Sequence, residues 1–132
     1  MNFVSIRIIT ADVARLTGFY ERVTGLRATW ATEDFAELET DSGTLAIAGT
    51  RTLALFAPDL AHPAENRSVI IEFLVDNVDR VHRNLTDLVA DVVQEPTTMP
   101  WGNRSLLFRD PDNNLVNFFT PVTAAAIEKF AR

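Results

Sequence analysis

Few side chains in this sequence stand where they could form or break a covalent bond. Cysteine is absent, which excludes thiolate nucleophiles and disulfides. Of the two histidines, His62 lies in the segment D-L-A-H-P-A-E-N-R and His82 on the flank of a predicted helix. No serine or threonine has a histidine at a spacing that a strand or a helix would bring together. Nucleophilic catalysis is therefore not predicted, and we interpret both histidines as solvated side chains.

The run D-P-D-N-N at 110–114 has the oxygen-rich composition of a cation site. The same letters are typical of a tight turn between two strands, because asparagine tolerates a left-handed φ better than other non-glycine residues. We therefore expect Asp110, Asp112, Asn113 and Asn114 to form a hairpin turn, with Asn113 in the left-handed position.

Arg7 and Glu72 have the clearest chemical possibilities among the charged residues. They hold equivalent positions in two similar segments of the chain and, by strand alternation, point away from the predicted helices. One interpretation is a buried ion pair that satisfies itself, and the other is a polar pair that orients a ligand. The sequence leaves both open.

The two similar segments, residues 5–23 and 70–88, are related by a constant offset of 65. Each reads as a β-branched strand, a polar N-cap at Asp12 or Asn77, and a helix with an apolar stripe. A further strand follows in each half, and we expect these to close at Pro58 and Pro121. The chain is therefore predicted to contain two copies of one module.

Each module reads as β-α-β-β-β, which predicts an α+β fold in one domain covering 1–132, a usual domain size. Module one covers 1–58, module two 67–122, and a short C-terminal helix 123–132. The predicted strands are 2–10, 27–32, 35–40, 44–56 with a break at Gly49, 68–75, 92–95, 103–109 and 115–120. The predicted helices are 12–25, 77–88 and 123–132.

A module of this kind has a helix on one face of its sheet and an open face opposite. We expect the two open faces to form one curved mixed sheet around a shared cup of apolar and polar side chains, the composition of a small-molecule site. Trp30 is interpreted as a core or dimer contact and Trp101 as a ligand contact at the rim. The candidate ligand-binding residues are Ser5, Arg7, Phe35, Phe56, Ile70, Glu72, Trp101, Arg104, Phe108, Asn117 and Phe119.

The bulk composition limits the partners. The formal charge is −6, from 12 basic and 18 acidic residues, which argues against nucleic acid because such binding needs clustered Lys and Arg. No apolar stretch approaches the roughly 20 residues of a membrane span, and the N-terminus lacks a signal-peptide pattern. A cytoplasmic protein is expected. The acidic surface suits a cationic ligand, and equally suits ordinary solubility.

The chain resembles the vicinal oxygen chelate superfamily, which comprises the glyoxalase, bleomycin-resistance and extradiol dioxygenase proteins. The resemblance covers nearly the whole chain. It is carried by D-V-A-R-L-T-G-F-Y-E-R-V-T-G-L at 12–26, V-D-N-V-D-R-V at 75–81, and P-W-G-N-R-S-L-L-F-R-D-P-D-N-N-L-V-N-F-F at 100–119.

Enzymes of this superfamily hold a divalent metal with His, Gln or Glu side chains from the first and last strand of each module. The resemblance places these four positions at Ser5, Ala54, Ile70 and Asn117, with Ala54 located by the repeat offset. Alanine and isoleucine have no lone pair to donate, and the two neutral oxygens left do not make a site. No metal and no cofactor is therefore predicted.

The resemblance implies a metal-independent binding protein that sequesters a bulky aromatic or hydrophobic ligand such as an antibiotic, and it implies a homodimer, side by side or with exchanged modules. An alternative is a lyase, isomerase, transferase or dioxygenase-like enzyme using an atypical metal site or polar groups such as Arg7, Glu72 and Asn117. A third is a fold whose cup recognises only a partner.

Overall fold

The computed structural model describes residues 1–57 and 59–131, which fall into two compact units, Met1–Asn66 and Arg67–Arg132. The first unit contains a four-stranded mixed sheet of order β1-β4-β3-β2, in which β1 runs parallel to β4 and the other pairs are antiparallel. Its elements are β1 (Ser5–Thr10), α1 (Val13–Thr24), β2 (Thr29–Thr32), β3 (Phe35–Glu39) and β4 (Thr44–Gly49), followed by a 3-10 helix (Thr50–Leu55).

Helix α1 begins and ends where the sequence predicts. The Asp12 carboxylate accepts a hydrogen bond from the backbone N–H of Arg15 at 3.0 Å, and Gly25 ends the helix at φ 75°. This positive φ is the left-handed cap conformation that favours glycine. The apolar stripe of α1, which includes Leu16, Phe19 and Tyr20, is buried.

The strand predicted over 44–56 is wrong beyond Gly49. Gly49 is paired with Thr10, the last residue of β1, and Ala48 is paired with Phe35, the first residue of β3. Among the described residues, the chain after Gly49 therefore pairs with no strand, and it forms the local hydrogen bonds of a 3-10 helix. Pro58, the predicted end of that strand, lies outside the described residues.

The second unit repeats the plan with a sheet of order β5-β8-β7-β6, in which β5 is parallel to β8. Asn77 caps α2 by accepting from the backbone N–H of Arg80, at 3.0 Å. The helix ends at Leu85, three residues before the predicted Leu88. The elements are β5 (Ile70–Leu74), α2 (Val78–Leu85), β6 (Val92–Thr98), β7 (Asn103–Arg109), β8 (Leu115–Pro121) and α3 (Ala124–Phe130).

The β7–β8 connection is the hairpin turn that the sequence predicts. The buried Asp110 carboxylate accepts from the backbone N–H groups of Asp112 and Asn114 and from the Asn114 side-chain amide, at 2.8–2.9 Å. Asn113 has φ 67°, as expected for the left-handed position of the turn. These carboxylate and amide groups therefore stabilise the hairpin turn through hydrogen bonds within it.

The two modules keep the predicted offset only through their first strand and helix. Ser5 lies opposite Thr44 in the first sheet, and Ile70 lies opposite Leu115 in the second. The first strands are thus 65 residues apart, but the last strands are 71 apart. The additional residues lie in the β6–β7 hairpin, whose strands have 7 residues each, against 4 and 5 in β2 and β3.

The chain therefore has the predicted α+β fold, with two β-α-β-β-β modules, two four-stranded mixed sheets and a C-terminal helix. The predicted helix end at Arg132 lies outside the described residues. The arrangement of both modules in one domain around a shared cup stays a prediction.

Candidate ligand-binding site

Two contacts identify the helix-covered face of the second sheet. The backbone N–H of Val78, at the start of α2, donates to the Thr120 hydroxyl at 2.9 Å, and Arg104 binds Asp79 of the same helical turn. Side chains alternate across a strand, so the residues between these positions point to the opposite, open face. By register, the open face of β5, β7 and β8 carries Ile70, Glu72, Leu74, Asn103, Ser105, Leu107, Arg109, Leu115, Asn117, Phe119 and Pro121.

A polar pair lies at the centre of this open face. Asn117 is opposite Glu72 in the parallel β5–β8 ladder, and its Nδ2 donates to Glu72 Oε2 at 2.8 Å. Asn117 is only 8% exposed, and its Oδ1 is buried without a hydrogen-bond partner in the described part of the chain. A buried carbonyl oxygen of this kind costs free energy until a donor reaches it.

Apolar side chains surround the polar pair. Ile70 and Leu74 flank Glu72 on β5 and are about half exposed, at 47% and 49%. Phe119, two residues beyond Asn117, is buried, and the Phe130 ring of α3 lies 5.1 Å from it between centroids. The end of α3 therefore covers part of the open face and forms an aromatic wall beside Asn117.

Two predicted site residues lie on the other face. Phe108 is fully buried and packs edge-on against Phe118 at 4.9 Å, within the layer between the sheet and α2. Arg104 binds Asp79 on α2. The prediction that both line the open face was wrong, because Phe108 pairs with Val116 and Leu107 pairs with Asn117, which puts the odd-numbered residues of β7 on that face.

In the first unit, Gly49 marks the helix-covered face, since a Cβ built on it would lie 3.3 Å from Val13 Cγ2 of α1. Ser5, Arg7 and Phe35 have the opposite parity and belong to the open face. The Arg7 guanidinium lies over the Phe35 ring, 5.1 Å from its centroid, in a cation–π contact. Ala46 pairs with both Arg7 and Glu37, so these three residues form one row across the sheet.

The remaining candidate ligand-binding residues lie outside the open-face rows of the two sheets. Phe56 follows the 3-10 helix in an exposed position outside the sheet. Trp101 lies in the β6–β7 turn and is 67% exposed, and Trp30 lies on β2 at 43%. Sequence reasoning missed Glu37, Ala46, Leu107 and Phe130, which only the strand register and the α3 contact reveal.

The four positions at which related enzymes bind a metal do not fit a divalent ion. Ala54 was misplaced, because the constant offset fails; the residue equivalent to Asn117 is Ala46, opposite Arg7. The set is therefore Ser5, Ala46, Ile70 and Asn117, and its alanine and isoleucine cannot coordinate a metal. Within residues 1–57 and 59–131, no group of three or more His, Cys, Asp or Glu side chains is placed to hold one.

Two surface depressions, of about 300 and 230 Å³, lie at the N-terminal ends of α1 and α2. Ion pairs line both: Arg51 with Asp34 at 3.2 Å in the first, and Arg104 with Asp79 at 2.9 Å in the second. These groups satisfy one another and lie on the helix side of their sheets. We therefore place the candidate site on the open faces.

None of the helices in the described residues is long and apolar enough to cross a membrane.

Comparison with known proteins agrees with this fold. Residues 2–118 match the profile of the Glyoxalase/Bleomycin resistance protein/Dioxygenase superfamily, and the chain belongs to this superfamily. It is 23% identical over 125 residues to the uncharacterized protein YraH of Bacillus subtilis, a match that covers 90% of this chain and 98% of that protein.

Solved structures show the same fold. A glyoxalase/bleomycin resistance protein/dioxygenase family enzyme from Burkholderia phytofirmans is similar at a TM-score of 0.80 and 17% identity, covering 92% of this chain and 100% of its own. A glyoxalase-related enzyme from Fulvimarina pelagi is similar at a TM-score of 0.76 and 15% identity, covering 94% of each chain.

Proposed function

We propose that this protein is a metal-independent, small-molecule binding protein of the cytoplasm, and that it sequesters a bulky aromatic or hydrophobic compound such as an antibiotic. The open sheet faces provide the binding surface. Arg7 over Phe35 in the first unit and Glu72 with Asn117 in the second provide polar contacts within apolar surroundings. Such a mixture is typical of small-molecule sites.

The observation that carries the proposal is the state of Asn117. It occupies a position where related enzymes have a metal ligand, yet its side chain is a neutral amide whose Oδ1 is buried and unpartnered among the described residues. The Nδ2 of Asn117 donates a hydrogen bond to the carboxylate of Glu72, which lies opposite on β5. A buried polar group left unsatisfied beside apolar side chains supports ligand binding there in place of metal chemistry.

Titration with hydrophobic aromatic compounds, including aromatic antibiotics, tests the proposal. Trp101 and Trp30 are both partly exposed, so their fluorescence is sensitive to a ligand bound nearby. We expect saturable quenching at micromolar concentrations that is unchanged by excess EDTA. The absence of saturable binding across a broad panel would contradict the proposal.

A metal-dependent enzyme is the competing function, and elemental analysis separates the two. Protein purified without chelator is expected to contain much less than one equivalent of zinc, nickel, iron or manganese per chain. One full equivalent that EDTA removes together with ligand binding would favour an enzyme with an atypical site.

A homodimer is also part of the proposal. Strand β1 is at the edge of its sheet, and the residues leading into it, Phe3 and Val4, are largely exposed. Unpaired strand edges with apolar side chains are suited to pairing with a second copy. Light scattering after size exclusion should give twice the mass of one chain, and Val4→Lys should shift the equilibrium toward the monomer.

A further inference from the structure

The open face of the second unit contains hydrogen-bond acceptors at its centre. Asn117 Oδ1 is unpartnered, and of the Glu72 carboxylate only Oε2 receives a hydrogen bond from a described residue, through Asn117 Nδ2. Glu72 is exposed, so Oε1 is accessible to a ligand. The two side chains thus offer one negatively charged oxygen and one carbonyl oxygen on adjacent strands.

The basic side chains near this face are directed elsewhere. Arg109 has the same parity as Asn117 but lies at the far end of β7, where its Nη1 donates to the Asn113 carbonyl at 3.3 Å. Lys129 lies over the Phe130 ring, with Nζ 5.1 Å from the centroid. The chain therefore leaves the Glu72 carboxylate without a cationic partner on its own face in the described residues.

The groups around the acceptors are apolar. Ile70 and Leu74 lie two residues before and after Glu72, and Phe119 with Phe130 forms a wall beyond Asn117. A ligand that fits this surface has an apolar or aromatic body and one group rich in N–H donors. A neutral donor could satisfy Asn117 Oδ1 but would leave the Glu72 charge uncompensated, and an anionic group would lie beside a like charge.

We propose that the ligand is a hydrophobic molecule carrying a protonated amine or amidine, which binds Glu72 Oε1 and donates a hydrogen bond to Asn117 Oδ1. The inference rests on the proposed binding function and specifies its ligand class. Because Oδ1 is buried in the free protein, binding requires side chains of the open face to shift and admit the donor. Asn117 Nδ2 then holds the carboxylate beside the bound cation.

Two fluorescent probes with the same aromatic body, one with a charged amine and one with that amine acetylated, test this inference. Dansylcadaverine has an aromatic body and a primary amine, and N-acetyl-dansylcadaverine has the same body without the positive charge. A hydrogen bond to a charged group is stronger than one between neutral groups, so we expect the amine to bind about tenfold more tightly. High salt should reduce this preference.

Three variants test which residues cause the preference for the amine probe. Glu72→Gln keeps the shape of the side chain and removes the charge, so both probes should bind it with the affinity that the acetylated probe has for wild type. Asn117→Leu removes the carbonyl and should lower amine affinity severalfold. Asp87→Asn, which removes a carboxylate from the exposed turn after α2, is the matched control and should behave as wild type.

The outcomes separate the two proposals. Equal affinity for both probes, or an amine preference that survives Glu72→Gln, would overturn the inference about ligand class and leave the binding function standing. If neither probe nor any compound of the aromatic panel binds, both proposals are wrong. Circular dichroism of each variant establishes that lost affinity does not reflect unfolding.

Discussion

The Arg104 guanidinium on β7 donates two hydrogen bonds to the Asp79 carboxylate in the first turn of α2, from Nε at 2.9 Å and from Nη2 at 3.0 Å. This bidentate contact fastens the helix to its sheet. The hydrogen bond from Arg104 lowers the pKa of Asp79 below its ordinary value of 3.8. Asp79 therefore titrates at a lower pH in the folded protein than in the unfolded chain.

We expect Arg104→Gln to lower the melting temperature slightly, since both partners are partly exposed and the pair is screened. The loss should be fully present above the unfolded pKa of Asp79 and should disappear as the pH falls through the lower folded pKa. Thermal unfolding at pH 7 and below pH 3 measures this. Arg80→Gln, on the same helix, is the control, and a deficit that stays constant in acid would contradict the prediction.

Gly102 and Gly25 both have positive φ, but their surroundings differ. A Cβ on Gly102, at φ 96°, would collide with the Thr123 hydroxyl oxygen and lie 3.1 Å from Ala126 Cβ, whereas a Cβ on Gly25 meets nothing within 4 Å. Gly25→Ala should cost only backbone strain, ~1 kcal/mol. Gly102→Ala should cost roughly 3 kcal/mol, because it also displaces the N-cap of α3. Denaturant unfolding compares them, and equal losses would contradict the assigned packing.

Phe108 and Phe119 belong to opposite faces of one sheet and should respond differently to the same change. Phe108→Leu should lower the free energy of unfolding by about 1–3 kcal/mol and leave ligand affinity unchanged. Phe119→Leu should weaken binding of an aromatic ligand, because its ring is part of the wall beside Asn117. Paired unfolding and titration measurements test this. Weakened binding in the Phe108 variant alone would reverse the face assignment.

Removal or addition of divalent ions should have no effect on the wild-type protein. The four family metal positions carry Ser5, Ala46, Ile70 and Asn117, of which two have no donor atom, so we expect no metal at these positions to contribute to the free energy of folding. Differential scanning fluorimetry with EDTA, zinc or nickel should give the same melting temperature. A metal-dependent rise of several degrees would show a site outside these positions.

The elements governed by local contacts were predictable from the sequence. Asp12, Asn77 and Thr123 each cap a helix through an oxygen of their own side chain, and Gly25 ends α1 by its φ. The end of β4 was not predictable, because it depends on where β1 and β3 stop. The alternating letters after Gly49 satisfy a strand pattern, yet within residues 1–57 and 59–131 no strand pairs with them.

The site was predictable only in part, for a related reason. Ser5, Arg7, Ile70, Glu72 and Asn117 follow from strand parity and lie on open faces. The parity of β7 is fixed by its register with β8, in which Leu107 pairs with Asn117, and the sequence pattern of β7 alone did not show which of its two faces is open. Arg104 and Phe108 were therefore assigned to the wrong face. Ala54 was misplaced because the β6–β7 hairpin is longer than its counterpart.

The length of the β6–β7 hairpin can differ between the two modules without affecting the polar pair on the open face. Its added residues lie on the two strands farthest from β5, so the pairing of Glu72 with Asn117 is independent of hairpin length. Insertions and deletions at its tip can reshape the rim that a ligand meets while the central polar contacts stay in register. If the protein binds a ligand as proposed, the second module could therefore change its selectivity without any change in the first.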